Sequence, residues 1–319
     1  MKILITGGFG FLGARLAEYL LKKDHKVTLA SRSKRSLNRS LLKAHSIQVD
    51  WQSESSLESI SQNQDIIIHA AGMNAEDCKN DPDQAHLFNA ITTKKLAKLA
   101  LKSGVKKFIF LSTAHVYANP LEGLLNEQSI PSNSHPYAAS HLGGENFLTD
   151  VVQTDKMQGV IVRLSNNFGY PAFDNPTCWS LVINNLCLQA IKSKKMVLMG
   201  DGSEIRDFMP ISLFCVAMEK ILSDRLPYSL NDNIFNISSS RTLSIMEVAQ
   251  RIQSYCKEKF NLNPEIITRA PDSKKLIKEF CIESKFSKLF EPSYNEAFEK
   301  ELFKLLDFCQ SDKSQHIYI

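Results

Sequence analysis

The sequence predicts an α/β fold in which a doubly wound parallel sheet is joined by a smaller α+β lobe. Short apolar runs alternate with amphipathic runs through the first half of the chain, which is typical of strand–helix–strand units. A glycine-rich turn follows the first apolar run, and a different pattern begins near Phe168. The length of 319 residues fits one large domain or two unequal ones.

The first half is predicted to alternate between strands and helices. The segment DIIIHAA at 65–71 is typical of a buried parallel strand, and Leu12, Leu16 and Leu20 follow helical spacing. In chain order, the predicted elements are strand 2–6, helix 11–23, strands 26–31, 47–50 and 65–71, helix 82–103, strand 106–113, a helix from about 137, and strand 160–165.

The second half has fewer regular patterns. The segment GYPAFDNPTCW is loop-like, a helix is predicted at 179–192, and a short strand is predicted at 196–199. Ser244 and Glu247 form a capping-box pattern that opens a helix reaching about residue 257. We therefore expect a sheet domain at 1–168, to which a segment of about 205–240 returns, and a smaller lobe formed mainly by 169–319.

The composition is that of a globular protein, with 43% apolar and 23% charged residues. The net charge of +4 is small and no long basic run contains interleaved aromatic residues, so no nucleic-acid partner is expected. No apolar run approaches the ~18 residues of a membrane span, and the N-terminus lacks a signal-peptide cleavage pattern. Seven cysteines without a C-x-x-C pair predict reduced thiols in a cytoplasm and no metal site.

The segment TGGFGFLG at 6–13 connects the first predicted strand to the first predicted helix. Gly8, Gly10 and Gly13 spell G-x-G-x-x-G, and Gly7 gives the alternative spacing G-x-x-G-x-x-G. Glycines at such a turn let the backbone approach a pyrophosphate, which then lies at the helix N-terminus. The position of the turn favours a dinucleotide-binding domain of the Rossmann type over an ordinary glycine turn.

The end of the second strand favours NADP(H), with NAD(H) as the alternative. A ribose 2′-hydroxyl calls for an acidic residue about 20 residues after the glycines, and the sequence has none there. It reads SRSKRS at 31–36, where Ser31 and Arg32 could hold a 2′-phosphate through charge-assisted hydrogen bonds. A solvated basic loop is the other interpretation. Asp50, at the end of the third strand, could reach the adenine or could belong to a strand-end turn.

Further segments follow in a fixed order along the chain: DIIIHAAG at 65–72, FLSTAHVYA at 110–118, PYAASH at 136–141, RLSNNFG at 163–169 and GDGSEIRDF at 200–208. Together with the glycine turn they resemble the extended short-chain dehydrogenase/reductase family, specifically its nucleotide-sugar epimerases, dehydratases and reductases, from residue 2 to about residue 250. Two positions depart from the family pattern. Thr92 replaces the glycine usual after the helix asparagine, and His141 replaces the lysine of the Tyr-x-x-x-Lys motif.

The resemblance implies roles for residues of the reaction site. Thr113 would hydrogen-bond the reacting sugar oxygen, and Tyr137 would exchange a proton while hydride moves to or from the nicotinamide. His115 would line the substrate site, as a proton carrier or as a polar wall. The residues expected to contact the cofactor are Gly7, Gly10, Phe11, Gly13, Ser31, Arg32, Asp50, Ala70, Asn89, Tyr137 and His141.

The resemblance also implies what the protein binds. Asn166 and Arg206 would hold the diphosphate of a nucleotide sugar, since a guanidinium can grip phosphate oxygens in a fork. A local ion pair between Arg206 and Asp207 is the alternative. A homodimer is implied by the family alone.

One reaction type of the family is disfavoured by the residues after the threonine. In the 4,6-dehydratases an Asp-Glu pair stands there, because eliminating water needs an additional acid and base. Ala114 and His115 occupy these positions, and alanine cannot act as an acid.

The histidine at position 141 bears on the direction of the reaction. The family lysine lowers the pKa of the tyrosine, which titrates near ~10 when free, so a base working near pH 7 needs a change of about 4 kcal/mol. A histidine is close to neutral at pH 7 and supplies little positive field. An epimerase must first oxidise its substrate and needs a basic tyrosine, whereas a reductase needs a neutral phenol as proton donor.

We therefore favour an NADP(H)-dependent ketoreductase of a nucleotide sugar. The alternatives are a nucleotide-sugar 4-epimerase with bound NAD(P), or a catalytically impaired NADP(H)-binding sensor or scaffold.

Overall fold

A computed structural model describes residues 1–153, 156–173, 178–223, 230–269 and 279–311. The chain divides into two units. The first comprises Met1–Pro120, Glu127–Leu164 and Met218–Asn236, and the second comprises Leu121–Asn126, Ser165–Ala217 and Ile237–Ile319. A late segment thus joins the first unit at 218–236, where the sequence led us to expect about 205–240.

The regular elements are numbered in chain order. The strands are β1 Lys2–Thr6, β2 Lys26–Ser31, β3 His45–Gln48, β4 Ile66–His69, β5 Lys107–Thr113, β6 Gly123–Leu125, β7 Gln158–Leu164, β8 Asn166–Phe168, β9 Lys195–Val197, β10 Ile205–Pro210, β11 Ile234–Ile237, β12 Thr242–Ser244, β13 Glu265–Ile267 and β14 Phe280–Ile282. The α-helices are α1 Phe11–Leu21, α2 Glu54–Ser61, α3 Ala75–Asn80, α4 Pro82–Ala85, α5 Thr92–Lys102, α6 Pro136–Val151, α7 Val182–Lys192, α8 Ile211–Ser223, α9 Ile245–Phe260, α10 Ser287–Phe290 and α11 Tyr294–Gln310.

The first unit is built on a seven-stranded sheet with the order β11-β7-β5-β4-β1-β2-β3. The pairings from β3 to β7 are parallel, and Thr6 at the end of β1 lies opposite Ala30 on one side and His69 on the other. The strand order reverses between β1 and β4, which is the position where doubly wound sheets bind ligands. The predicted fold class, a doubly wound Rossmann-type sheet, is confirmed.

The helices of the first unit differ from the predicted ones in two places. The predicted helix 82–103 is α4 and α5 joined by a π-helical turn at His86–Ile91. Two short helices, α2 and α3, were missed because their apolar faces are small, although both begin with side-chain caps. Ser53 accepts the backbone N–H of Ser56, and Asn74 accepts that of Asp77.

The centre of the first sheet is β5, in which every residue is buried. Phe108 and Phe110 pack with apolar side chains of α5 and α6. Lys107 is the charged exception, and its Nζ donates to the backbone oxygens of Ile221 at 2.7 Å and Leu222 at 3.4 Å. These are the last carbonyl groups of α8, so the ammonium is satisfied and caps the negative end of that helix.

The second unit contains a three-stranded sheet with the order β12-β10-β8, in which β10 is parallel to β8 and antiparallel to β12. Two parallel pairs, β9 with β13 and β6 with β14, complete its strands. The predicted capping box is present, since Ser244 and Glu247 exchange both hydrogen bonds at the start of α9. The helix continues to Phe260 and ends at Asn261 in the left-handed conformation.

Three further properties concern the residues that the structure describes. No helix within the described ranges is long and apolar enough to cross a membrane. Among the same residues, no group of three or more His, Cys, Asp or Glu side chains is arranged to hold a metal ion. All seven cysteines are in the thiol form.

Candidate active site

The glycine turn lies at the carboxyl end of β1, beside the end of β4. Gly7 has a φ of +64°, and a Cβ there would lie 2.7 Å from the carbonyl oxygen of Ala70. A Cβ on Gly13 would lie 2.5 Å from the carbonyl oxygen of Gly7, so neither position accepts a side chain. The N–H of Gly10 donates to the Gly7 carbonyl at 2.8 Å, and α1 begins at Phe11.

This turn fits a dinucleotide cofactor. Because Gly7 and Gly13 cannot carry side chains, the backbone itself forms the surface of the turn at these positions. The first N–H groups of α1 have no partner within the helix, so they can donate to a pyrophosphate. The first turn of α1 contains no acidic residue that would repel an anion. The free N–H groups at the start of α1, from Phe11 to Gly13, are therefore the donors available to a phosphate, while the N–H of Gly10 is already donated to Gly7.

The basic loop after β2 is fastened to its surroundings. Gln48 Nε2 donates to the carbonyl oxygen of Arg32 at 3.1 Å, which holds the loop against β3. The guanidinium of Arg35 lies 5.9 Å from the centroid of the Phe9 ring, within cation–π range. Because Phe9 belongs to the glycine turn, this contact brings one permanent cation of the loop, Arg35, to the turn.

Three other residues predicted at the cofactor make local contacts. Ser31 Oγ donates to the carbonyl oxygen of Ser33 at 2.6 Å. Asp50 is exposed and its Oδ1 accepts the N–H of Gln52 at 2.9 Å, which is the strand-end turn considered as its alternative role. The N–H of Ala70 lies 3.1 Å from Thr6 Oγ1, so its backbone is fixed at the end of β4.

The predicted reaction residues Thr113 and Tyr137 come together. Thr113 ends β5 and is buried, and Tyr137 lies in the first turn of α6, where Pro136 occupies the first helical position. The Thr113 side chain lies close enough to the Tyr137 hydroxyl to act on its pKa. Although Tyr137 keeps some exposed surface, burial raises the pKa of its hydroxyl and outweighs the lowering by Thr113. The phenol is thus held in its neutral form at neutral pH.

His141 lies one helical turn after Tyr137 and faces the same way. The two rings meet edge to face, with centroids 4.7 Å apart and an interplanar angle of 67°. Burial lowers the pKa of His141 to about 4, so the imidazole is neutral at pH 7. Its Nδ1 is buried without a hydrogen-bond partner among the described residues. Its Nε2 would lie 3.9 Å from a Cβ placed on Gly72, which follows β4.

A second buried histidine, His69, lies beneath this pair and was not singled out from the sequence. The Phe110 ring stacks on His69 and on His141, with centroid distances of 5.8 Å in both cases. Burial and, to a lesser degree, the charge of His141 lower the pKa of His69 to about 3. The signal that could have found it is the one titratable side chain in the apolar run IIIHAA at 66–71.

The hydrogen bonds of His69 fix its tautomer. Its Nε2 lies 3.0 Å from Thr93 Oγ1, whose own proton is donated to the carbonyl oxygen of Asn89 at 2.7 Å. Thr93 therefore accepts from Nε2–H, which leaves Nδ1 to accept from Thr6 Oγ1 at 2.7 Å. Both ring nitrogens are satisfied only in this neutral form.

Asn89 is placed in the π-helical turn and is buried. Its Oδ1 accepts the N–H of Met73 at 2.8 Å, and its Nδ2 donates to Ser140 Oγ at 3.0 Å and to Cys78 Sγ at 3.5 Å. The amide thus ties the loop after β4 to α6. Its contacts suit a residue that positions the cofactor loop and the tyrosine helix, where the sequence predicts a cofactor contact.

An ionic network behind the reaction residues was also missed. The carboxylate of Glu145 accepts from Ser112 Oγ at 2.5 Å and pairs with Arg163 at 2.6 Å, and both charged side chains are buried. The network joins β5, α6 and β7 through one carboxylate. The spacing of Tyr137, His141 and Glu145 at four-residue intervals places all three on one face of α6, and this signal could have found it.

His115 lies in the short 3₁₀ turn after β5. Its N–H donates to Thr113 Oγ1 at 3.1 Å, and its carbonyl oxygen accepts from Asn133 Nδ2 at 2.7 Å. These backbone contacts fix the loop next to Thr113. They assign no role to the imidazole.

Asn166 and Arg206 belong to the second unit, at the start of β8 and on β10. Asn166 Nδ2 donates to the carbonyl oxygen of Asp207 at 3.1 Å. The guanidinium of Arg206 pairs with Glu204 at 2.6 Å, whereas the carboxylate of Asp207 accepts from Ser239. The ion pair between Arg206 and Asp207, considered as an alternative, is thus replaced by one with Glu204.

A family model described as "NAD dependent epimerase/dehydratase family" matches residues 3–237. The chain belongs to this family. The predicted resemblance and the prediction of an NAD(P)-dependent enzyme are therefore confirmed, while the reaction and the choice between NAD and NADP are not decided by membership.

Curated relatives carry several activities. The chain is 29% identical over 284 residues to a dTDP-D-glucose 4,6-dehydratase of Dictyostelium discoideum, in a match covering 79% of this chain and 61% of that protein. It is 28% identical over 301 residues to a UDP-N-acetyl-alpha-D-glucosaminuronate decarboxylase of Bacillus cytotoxicus, covering 88% of this chain and 91% of the relative. The chain thus spans about three fifths of the first relative's length and most of the second's.

Solved structures share the fold. UDP-glucose 4-epimerase of Thermotoga maritima with UDP-glucose has a TM-score of 0.79 at 20% identity, covering 97% of this chain and 98% of that chain. UDP-glucose 4-epimerase of Thermus thermophilus in complex with NAD has a TM-score of 0.78 at 19% identity, covering 98% and 100%. At these identities the likeness establishes the fold.

Proposed function

We propose that the protein is an NADP(H)-dependent reductase of a keto group on a nucleotide-activated sugar. The observation that carries this proposal is the neutral pair of Tyr137 and His141. Burial raises the pKa of the phenol and lowers that of the imidazole to about 4, so both rings are uncharged at neutral pH. Such a tyrosine is ready to donate a proton and poorly suited to accept one.

The mechanism uses the two hydroxyl groups at the end of β5 and the start of α6. Thr113 and Tyr137 hydrogen-bond the carbonyl oxygen of the substrate and orient it. A bound reduced nicotinamide would supply the hydride for the carbonyl carbon. Tyr137 donates its phenolic proton to the oxygen as negative charge develops there, which gives an alcohol, and the phenolate regains a proton from solvent.

The reverse direction is disfavoured by the same geometry. Oxidation of an alcohol requires the tyrosine to begin as phenolate, and among the described residues no cationic side chain contributes to the pKa of Tyr137. Neutral His141 can hydrogen-bond a ribose hydroxyl, but it adds no positive field. Reduction therefore needs no shift in the pKa of Tyr137, whereas oxidation does.

The preference for NADP(H) rests on the loop at 31–36. Arg32 is held to β3 through its backbone and follows directly after β2, and the guanidinium of Arg35 rests on Phe9 of the glycine turn. A 2′-phosphate would find permanent cations there, and the end of β2 has no acid for a 2′-hydroxyl. Asp50 is an acid and cannot bind a 2′-phosphate, so its proposed role is limited to the turn after β3.

Asn166 and Arg206 are proposed to hold the substrate diphosphate, and His115 to line the sugar site. Support comes from the chemistry of the side chains, since Arg206 keeps about a third of its surface exposed and its guanidinium can exchange partners. The relatives named above act on nucleotide sugars by their names, which supports the substrate class.

The test is consumption of NADPH by the purified protein with a panel of UDP- and dTDP-linked keto-sugars. We expect one NADPH oxidised for each alcohol formed, and loss of turnover in Tyr137→Phe with NADPH binding retained. Tyr117→Phe is the matched control, because Tyr117 is buried and donates to Asn236. Epimer interconversion without added cofactor would contradict the reductase.

A nucleotide-sugar 4-epimerase with bound NAD(P) is the second candidate. The observation that favours it is the similarity to a Bacillus subtilis protein described as an uncharacterized UDP-glucose epimerase, at 26% identity over 284 residues. Tight NADPH binding without turnover on any substrate would instead favour a catalytically impaired sensor or scaffold.

We also propose a homodimer in a reducing, cytoplasmic compartment. The odd number of cysteines without a C-x-x-C pair supports the compartment, since an oxidising one would favour a disulfide framework. Light scattering of the purified protein tests the dimer, and a monomer at micromolar concentration would contradict it.

A further inference from the structure

The guanidinium of Arg206 already has an anionic partner. Its Nη2 lies 2.6 Å from Oε1 of Glu204, and its Nη1 donates to the carbonyl oxygen of Ile205 at 3.0 Å. The side chain of Glu204 is 67% exposed and that of Arg206 is 30% exposed. The ion pair is thus within reach of a ligand, and an anion that approaches the Nη2 edge of the guanidinium competes with Glu204 for it.

The backbone on both sides of the pair is fixed. The carbonyl oxygen of Glu204 accepts the N–H of Ile245 at 3.0 Å, and Arg206 lies opposite Leu243 in the antiparallel pair of β10 and β12. In the segment that precedes Glu204 in the chain, Asp201 Oδ1 accepts the N–H of Ser203 at 2.9 Å and closes a turn. Exchange of partners therefore needs only rotation of the two side chains.

The neighbouring acid cannot replace Glu204 as a partner. Asp207 is fully buried, and its carboxylate accepts the N–H of Ser239 at 3.0 Å and Ser239 Oγ at 2.9 Å. Its side chain is committed to that loop. Glu204 is the acid whose removal changes the availability of Arg206 without disturbing a buried group.

We propose that Glu204 is an internal competitor that occupies Arg206 and must be displaced by the diphosphate of the substrate. This rests on the proposed function, in which Arg206 grips that diphosphate. The exchange replaces an arginine–carboxylate contact by an arginine–phosphate contact and leaves the Glu204 carboxylate beside a dianionic group. Glu204 therefore lowers the affinity for nucleoside diphosphates and keeps simple anions off the arginine.

The competition has a distinct salt dependence. In the natural protein, salt weakens both the internal ion pair and the bond to the ligand, so the two effects partly cancel. Without the Glu204 charge, only the ligand contact is screened. The affinity of the Glu204→Gln variant for a diphosphate should then fall more steeply with salt.

The experiment is calorimetric titration of the full-length protein with UDP, at two salt concentrations. We expect Glu204→Gln to bind UDP about two- to fivefold more tightly at low salt, the range that an exposed ion pair contributes. Glu265→Gln is the matched control, because it removes one exposed charge from the second unit and should leave the affinity unchanged.

A double-mutant cycle with Arg206→Met separates the possible outcomes. In that background, Glu204→Gln should change UDP affinity less than about 1.5-fold, since the competition no longer exists. An equal gain in both backgrounds would mean a general charge effect and would overturn the proposal, as would an unchanged or weaker affinity of Glu204→Gln. If Arg206→Met alone binds UDP as well as the natural protein, the diphosphate contact of the proposed function fails instead.

Discussion

The rings of Tyr137 and His141, one turn apart on α6, meet edge to face with their centroids 4.7 Å apart. The family motif has a lysine at this position, whose ammonium would stand beside the phenol. Here the neighbour is a buried ring that carries no charge at pH 7 because burial lowers its pKa to about 4. The contact packs the tyrosine without activating it as a base.

Replacing His141 by lysine should change the two directions of reaction unequally. An ammonium that lowers the pKa of Tyr137 by ~1 unit would raise the phenolate fraction and the rate of alcohol oxidation about tenfold. The rate of ketone reduction should change far less, because the phenol is already the donor. The measurement is kcat in both directions, with His141→Gln as a neutral control. Equal changes in both directions would refute the directional argument.

The rate of ketone reduction should depend little on pH across the neutral range. The pKa of Tyr137 is raised above its ordinary value near 10, so the donor stays protonated, and His141 titrates near 4. We expect kcat to stay level from about pH 6 to about pH 9 and to fall by ~10²- to 10⁴-fold in Tyr137→Phe. A kcat that rises or falls through pH 6.5 would show that an ordinary histidine controls the step.

Local sequence predicts the parts of the site that depend on a single turn or helix. The glycine turn was readable because positive φ and close backbone approach require glycine, as at Gly7. Tyr137 and His141 were placed on one face because they are four residues apart in a helix. These features follow from spacing alone.

The rest of the site depends on contacts between distant segments. Glu145 meets Ser112 across 33 positions, and His69 meets Thr6 across 63 positions. Their pairing needs the register of the sheet, which one sequence does not specify. The alternative considered for Arg206 was an ion pair with the adjacent Asp207, but alternation along β10 turns the Asp207 side chain to the other face, where it is buried.

Reversing the charge of Arg32 should shift the cofactor preference toward NADH. The Arg32→Asp variant would lose a cation for the 2′-phosphate and gain an acid that suits a 2′-hydroxyl. We expect the ratio of kcat/KM for NADPH over NADH to fall by about tenfold or more, corresponding to the loss of about 1.4 kcal/mol. Arg39→Asp, on an exposed 3₁₀ turn of the following segment, is the matched control.

Arg35 offers a graded version of this test. In Arg35→Ala the contact with Phe9 is lost, so NADPH affinity should fall while NADH affinity stays the same. An unchanged preference in both the Arg32 and the Arg35 variants would remove the loop from the cofactor site.

The last prediction concerns Asp207, whose burial raises its pKa to about 6 although Ser165 and Ser239 act in the opposite direction. A carboxyl group with a folded pKa above its unfolded value near 3.8 keeps its proton longer in the folded state. Its contribution to the free energy of unfolding is therefore greatest at low pH and is lost as pH rises from about 4 to about 6. The shift of roughly 2 units corresponds to a loss on the order of 3 kcal/mol.

The Asp207→Asn variant should remove this slope. An asparagine Oδ1 can still accept the N–H of Ser239, and Ser239 Oγ already contacts the carbonyl oxygen of Arg241 at 2.9 Å, so the loop keeps its bonds. Urea denaturation from pH 4 to pH 7 measures the difference between the natural protein and the variant. That difference should favour the variant increasingly as pH rises to about 6 and then level off. The lowered pKa values of His69 and His141 make stability fall as pH drops below about 6.5. This effect is equal in both proteins, so it cancels in the difference between their free energies of unfolding. Asp150→Asn, at an exposed position, should show no such trend, and a flat difference for Asp207→Asn would mean that the carboxyl is not held in its neutral form.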